Sequence, residues 1–107
     1  MGKLKVGITI DLNTSLFSSG INQNAIYLAK VYKEMGHTPY LLVSNSYNQE
    51  FRGRKELELM GLSDLNIITF AESTKLYLHI AITLGMFIAE DILAAYKLKN
   101  PKFKLVF

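Results

Sequence analysis

Cysteine and tryptophan are absent from the 107 residues, and only two positions are proline. Without cysteine there can be neither a disulfide framework nor a thiolate metal site. This fits a reducing compartment, and the expected location is cytoplasmic. The scarcity of proline, with half of the residues hydrophobic, excludes a disordered or low-complexity chain. Long apolar runs are also missing. The most apolar stretch, Leu76 to Ala89, contains His79 and stops at Glu90-Asp91. It falls short of the roughly 20 residues that a spanning helix needs, so no membrane span is expected. The opening Met-Gly-Lys-Leu-Lys-Val enters a strand pattern without the apolar core of a secretory signal. Val6 stands where a myristoylation motif wants Ser or Thr.

The common nucleotide motifs are missing too. No G-x-G-x-x-G follows the first strand, and no G-x-x-x-x-G-K-[ST] occurs, which argues against ordinary NAD and P-loop sites. Asp11 lacks the second acidic residue and the later lysine of a phosphoryl-accepting receiver domain. Neither His37 nor His79 has an acidic partner at metal-ligand spacing. His37 reads as part of a helix end, and His79 as a satisfied histidine inside an apolar strand. No metal and no resident cofactor are expected.

What is present is enough sequence for one domain with a true core. The formal net charge is +3, and four of the twelve basic residues crowd together as Lys97, Lys99, Lys102 and Lys104. No aromatic RNA motif or zinc-finger spacing accompanies them. They read as cations favoured at a helix C-terminus, followed by a solvated strand edge, and nucleic acid is not expected as a partner.

Period and punctuation give the elements. Lys3 to Ile10 predicts a strand in which Val6, Ile8 and Ile10 alternate with Lys5, Gly7 and Thr9. The polar loop from Asp11 to Gly20 leads to a helix over Ile21–Met35. Its apolar stripe is Ile21, Ala25, Leu28, Ala29, Tyr32 and Met35, and Gly36 closes it. Thr38 to Ser44 predicts a second strand, Gln49 to Met60 a second helix, and Leu65 to Phe70 a third strand. Ala71 to Lys75 reads as a turn and Leu76 to Thr83 as a fourth strand. Met86 to Leu98 predicts a third helix with Ile88, Ala89, Ile92, Leu93 and Tyr96 on one face. Phe103 to Phe107 begins a fifth strand. Strands alternating with amphipathic helices imply a Rossmann-like α/β sandwich, its mostly parallel sheet ordered 3-2-1-4-5. Because the chain stops on Phe107 inside an apolar strand, a missing C-terminal partner domain or self-association is expected.

Such sheets bind ligands beyond the carboxyl ends of their strands, at the point where the strand order reverses. That rim would carry Asp11 and Asn13, Ser44 to Ser46, Glu72, and Thr83 to Gly85. The Ser18-Ser19-Gly20 loop opens the first helix. Two readings of it stand: backbone N–H groups that meet a phosphate or a sugar hydroxyl, or simple N-capping by Ser18 or Ser19.

The stretch Ser19-Gly-Ile-Asn-Gln-Asn-Ala-Ile-Tyr-Leu-Ala-Lys-Val-Tyr-Lys-Glu-Met-Gly-His37 resembles the first helix of GT-B glycosyltransferases. The matching residues are Gly20, Ile21, Leu28, Ala29, Gly36 and His37. The wording Ser-Gly-Ile-Asn-Gln-Asn, and the lysine-rich segment Lys97 to Lys104 around Asn-Pro, look similar to a group of poorly characterised bacterial and phage GT-B-like proteins. The resemblance covers most of the chain but only about the first half of a GT-B N-terminal domain. It implies a glycine loop facing the donor's phosphate or sugar, with Ser19, Gly20 and Gln23 at that loop and Asp11 or Asn13 near the acceptor. The implied substrate-binding set is Asp11, Asn13, Ser18, Ser19, Gly20, Gln23 and Thr83, with no catalytic residue assigned. The implied parent activity is sugar transfer from a nucleotide-sugar to an acceptor. The second, donor-binding domain is missing from these residues, so the chain alone is expected not to turn over. The competing expectation is a non-catalytic Rossmann-like binding or assembly module that self-associates.

Overall fold

β-Branched and aliphatic runs in this chain fold as short strands, and the computed structural model describes residues 3–11, 20–45, 65–84 and 88–106. Strands β1 (Lys5–Thr9), β2 (Thr38–Val43), β3 (Asn66–Thr69), β4 (Ile80–Ile82) and β5 (Lys104–Val106) form one sheet in the order β3-β2-β1-β4-β5. Every pairing is parallel, with Ile8 aligned to Leu41 on one side and Ile82 on the other. This is the expected Rossmann-like α/β architecture. The helices are α1 (Gly20–Glu34), α2 (Phe70–Ser73) and α3 (Glu90–Lys99). The helix expected over 49–60 lies outside the described residues.

The period of two divides the core between the two faces of the sheet. Val6, Ile8 and Ile10 of the first strand region, with Leu41 and Val43 of β2, pack beneath Ala25, Ile26 and Ala29 of α1. Leu42 points the other way and joins Leu78, Ala81, Ile88, Tyr96 and Phe103 under α3. Both faces of β2 are therefore dry, which is what its unbroken Tyr40-Leu-Leu-Val43 run requires.

Helix α1 is rolled relative to the expected stripe. Ile21 and Met35 are exposed, while Asn22 and Ile26 are buried. The buried set Asn22, Ala25, Ile26 and Ala29 keeps helical spacing, but its seam is set by Asn22, whose side chain is tied to the backbone of Asp11. The helix ends in a Schellman motif. Gly36 N–H donates to the Lys33 carbonyl at 3.1 Å, and His37 N–H to the Tyr32 carbonyl at 3.0 Å. Gly36 has φ +88°, and the Tyr32 and His37 rings close the motif at 6.1 Å between centroids.

The fourth strand is shorter than expected, and the residues read as its first half do something else. β3 ends at the C-terminal edge of the sheet and β4 starts at the N-terminal edge, with β2 and β1 between them. Residues 70–79 must cross three strand spacings, roughly 14 Å, while also returning the length of the sheet. They do so as one short helix and a strap over 74–79, without regular secondary structure, across the α3 face. The turn expected over Ala71–Lys75 overlaps α2, which Thr69 and Glu72 close with a reciprocal capping box. A Cβ on Gly7 would sit 2.7 Å from Leu42 Cδ1 and 3.3 Å from Leu78 Cδ1, so a side chain at residue 7 would require both leucines to shift.

Helix α3 clamps the strap from above. The Tyr96 hydroxyl meets Ser73 Oγ, and Ser73 Oγ donates to the Phe70 carbonyl. Asn100 Nδ2 donates to the Leu78 carbonyl at 3.1 Å, and Asn100 Oδ1 accepts from Tyr77 Oη at 3.1 Å. Lys99 Nζ donates to the Lys75 carbonyl at 3.0 Å. Burial pushes the Tyr96 phenol above its ordinary value, and the Ser73 hydrogen bond opposes that in part. α3 starts at Glu90, later than the expected Met86; Ala89 before it has extended backbone (ψ 147°) and makes no side-chain cap bond.

Candidate functional site

The reversal of strand order falls between β1 and β4, where the chain leaves the two strands toward opposite sides of the sheet. At this edge the buried Thr9 places its hydroxyl at the last residue of β1. Leu84 N–H donates to Thr9 Oγ1 at 2.9 Å, so the turn after β4 is fastened to the end of β1. Ile10 N–H continues the ladder to the Leu42 carbonyl at 3.1 Å.

Asp11 follows directly and is half-buried. Its backbone is gripped at both ends by one side chain: Asp11 N–H donates to Asn22 Oδ1 at 3.1 Å, and Asn22 Nδ2 donates to the Asp11 carbonyl at 2.6 Å. Asn22 is 2% exposed. The amide supplies one acceptor and one donor in a single plane, matching the two backbone groups of Asp11. The exit of β1 is thereby locked to the first turn of α1, and the Asp11 backbone is held beside that turn.

Gly20 is the first residue of α1, and Gln23 lies exposed in its first turn. Thr83 is buried just past β4; its N–H donates to the Val106 carbonyl at 2.8 Å and its hydroxyl reaches the same carbonyl at 3.3 Å. Asp11, Gly20, Gln23 and Thr83 thus belong to one edge of the sheet. Asn13, Ser18 and Ser19 lie outside the described residues, as do Ser46 and Gly85. Of the other expected rim residues, Ser44 is exposed after β2, and Glu72 is spent on the capping box with Thr69. Asn45 Oδ1 accepts from Ala71 N–H at 2.9 Å, joining the turn after β2 to α2.

Asn22 and Thr9 are the site-forming residues that sequence reasoning did not single out, whereas Asn45 falls within the expected rim stretch Ser44 to Ser46. Asn22 did leave a signal: a polar amide on the helix line that otherwise runs Ala25, Ile26, Ala29. Thr9 left none, because threonine is at home in any strand.

The two histidines are placed at the opposite, N-terminal edge. His37 Nδ1 accepts Leu4 N–H at 3.1 Å, and His79 Nδ1 accepts Lys5 N–H at 3.0 Å. Each ring stands at the entry of a neighbour of β1 and satisfies a backbone donor at the start of β1, so both carry structural bonds. Among the described residues no group of three His, Cys, Asp or Glu is arranged to hold a metal ion. No described helix is long and apolar enough to cross a membrane.

The chain matches, over residues 6–107, the family described as "Protein of unknown function (DUF2827)". The match spans nearly the whole chain, and the protein belongs to that family. No curated protein and no solved structure matches it significantly.

Proposed function

We propose that this DUF2827 member is the acceptor-side Rossmann-like unit of a GT-B-type glycosyltransferase, whose reaction moves a sugar from a nucleotide-sugar to an acceptor. The observation that carries the reading is the double hydrogen bond from Asn22 to the Asp11 backbone. It fixes an acidic residue beside the first turn of a 15-residue helix, at the switch point of a parallel sheet. Such a helix start offers unpaired N–H groups and a partial positive charge to a phosphate. When a glycosidic phosphate bond breaks, negative charge builds on the leaving diphosphate, and preorganised N–H donors stabilise it. The resemblance of the Gly20 to His37 segment to GT-B enzymes supports the same assignment. In this reading Gly20 and Gln23 border the donor phosphate, Asp11 contacts the acceptor, and Thr83 closes the rim from β4. A second domain supplies most of the donor contacts, so the isolated chain binds without turnover.

Titration calorimetry with a panel of nucleotide-sugars tests this. Heat of binding is expected from the unaltered chain, and Gly20→Trp, which puts a bulky ring at the first position of α1, is expected to abolish it. Binding that survives Gly20→Trp would remove the loop from the site.

A second reading has its own observation. β5 is bonded through β4 alone among the described residues, and Val106 is 44% exposed. An open parallel edge of this kind invites pairing with another chain, as in a non-catalytic assembly module. A concentration-dependent dimer in sedimentation, with no heat from any nucleotide-sugar, would favour this module over the transferase.

A further inference from the structure

The fold separates charge by end. Asp11, Glu72, Glu90 and Asp91 follow strands or open α3, and so lie toward the C-terminal edge of the sheet. All of the described lysines except Lys30 lie toward the N-terminal edge, where Glu34 is the one described acid. Sequence-local cation preference explains only part of this. Lys33, Lys97 and Lys99 occupy the last turns of α1 and α3, where the helix dipole favours them. Lys3, Lys5, Lys75, Lys102 and Lys104 belong to no helix. They come from three separate chain segments, and parallel topology alone gathers them. Lys104 aligns with Ile80, which aligns with Val6, so β5, β4 and β1 enter the sheet side by side. The bond from Lys99 Nζ to the Lys75 carbonyl brings the strap to the same end.

Large apolar side chains stand out beside these lysines. Leu98, in the last turn of α3, is 85% exposed, Met35 at the end of α1 is 63% exposed, and Tyr77 of the strap is 47% exposed. Cations interspersed with projecting apolar and aromatic side chains fit the headgroup region of an anionic bilayer, which attracts lysine and accepts such side chains. A nucleic acid would need the cations but not Leu98 or Met35.

We propose that the N-terminal edge of the sheet, around Lys3, Lys75, Lys99, Lys102, Lys104 and Leu98, is a docking surface for an anionic lipid membrane. It lies at the opposite end of the strands from the Asp11 rim, so a docked molecule keeps that rim turned toward the water.

Vesicle flotation of the full chain tests the assignment. Vesicles of phosphatidylglycerol and phosphatidylcholine are compared with vesicles of phosphatidylcholine alone, at low and high salt. Retention is expected on the anionic vesicles only, and high salt should release it. Each exposed lysine near the surface contributes about fivefold in affinity. The triple variant Lys99→Gln, Lys102→Gln, Lys104→Gln should therefore bind about a hundredfold more weakly. Leu98→Ser should weaken binding at unchanged charge, and Lys30→Gln, away from this edge, should leave it unaltered. Far-UV spectra establish that each variant is folded. Equal flotation with neutral vesicles, insensitivity to the triple substitution, or retention of duplex DNA with none of the vesicles overturns the proposal.

Discussion

Asn22 occupies a helix position where packing against a strand normally selects an aliphatic residue, and its buried amide is matched group for group by the Asp11 backbone. Removing it leaves an N–H and a carbonyl at a half-buried site short of their partner. Asn22→Ala is expected to cost about 1–3 kcal/mol, read from urea unfolding as a lower midpoint with unchanged m-value. An Asn22→Ala chain as stable as the parent would show that the clasp does not hold the end of β1. Tyr96 makes the corresponding case on the other face. Its folded pKa is raised above the ordinary 10.0 by burial. A raised value means that the folded chain holds the proton more tightly than the unfolded one. The contribution is complete below pH 10 and is lost as pH rises through the folded value. Melting temperature should therefore fall on the alkaline side of pH 10, and more shallowly in Tyr96→Phe than in the parent. Identical alkaline slopes for the two chains would exclude Tyr96 as the responsible group.

At the scale of the element, α1 and the strap depend on single positions for different reasons. Gly36 closes α1 with positive φ, and no atom lies within 4 Å of a Cβ built there. The penalty for a side chain is then backbone strain alone. Gly36→Ala should cost about 1–2 kcal/mol, and Gly36→Asn less, because asparagine tolerates the left-handed region. Thermal melts of the two variants check the order, and an alanine no worse than asparagine would contradict the Schellman assignment. The strap over 74–79 has little regular structure of its own. It is held by polar bonds to α3 and by Leu76 and Leu78 in the core beneath. The alternation of Leu76 to Thr83 reads as one strand for a physical reason: a strap that buries alternate leucines has the same period of two as a strand. Only the distance between β3 and β4 in the sheet reveals that the first half must travel rather than pair.

At the scale of the whole molecule, β1 and β2 lie inside the sheet, each bonded on both sides, whereas β5 is bonded through β4 alone among the described residues. Native-state hydrogen exchange should therefore run from β5, fastest, to β1 and β2, slowest. Protection of β5 equal to that of β1 would mean that its outer edge is covered in solution, which would strengthen the self-association reading. The same parallel stacking sends acidic groups to one end of the strands and lysines to the other. It also places the Asp11 rim and the lysine edge as far apart as the sheet allows.

The amino-acid sequence alone determined the parallel α/β plan and the strand order, because alternating periods of 2 and 3.6 leave few ways to bury two faces of one sheet. It also marked Gly36, Asp11 and the polar turns, whose chemistry is local. Tertiary structure alone decided the roll of α1, the course of the strap and the meeting of lysines from distant segments. Those features depend on contacts between residues far apart in the chain: Asn22 with Asp11, Gly7 with Leu78, and Lys75 with Lys99. No local period encodes such pairings, because each is fixed by the space that the other elements leave.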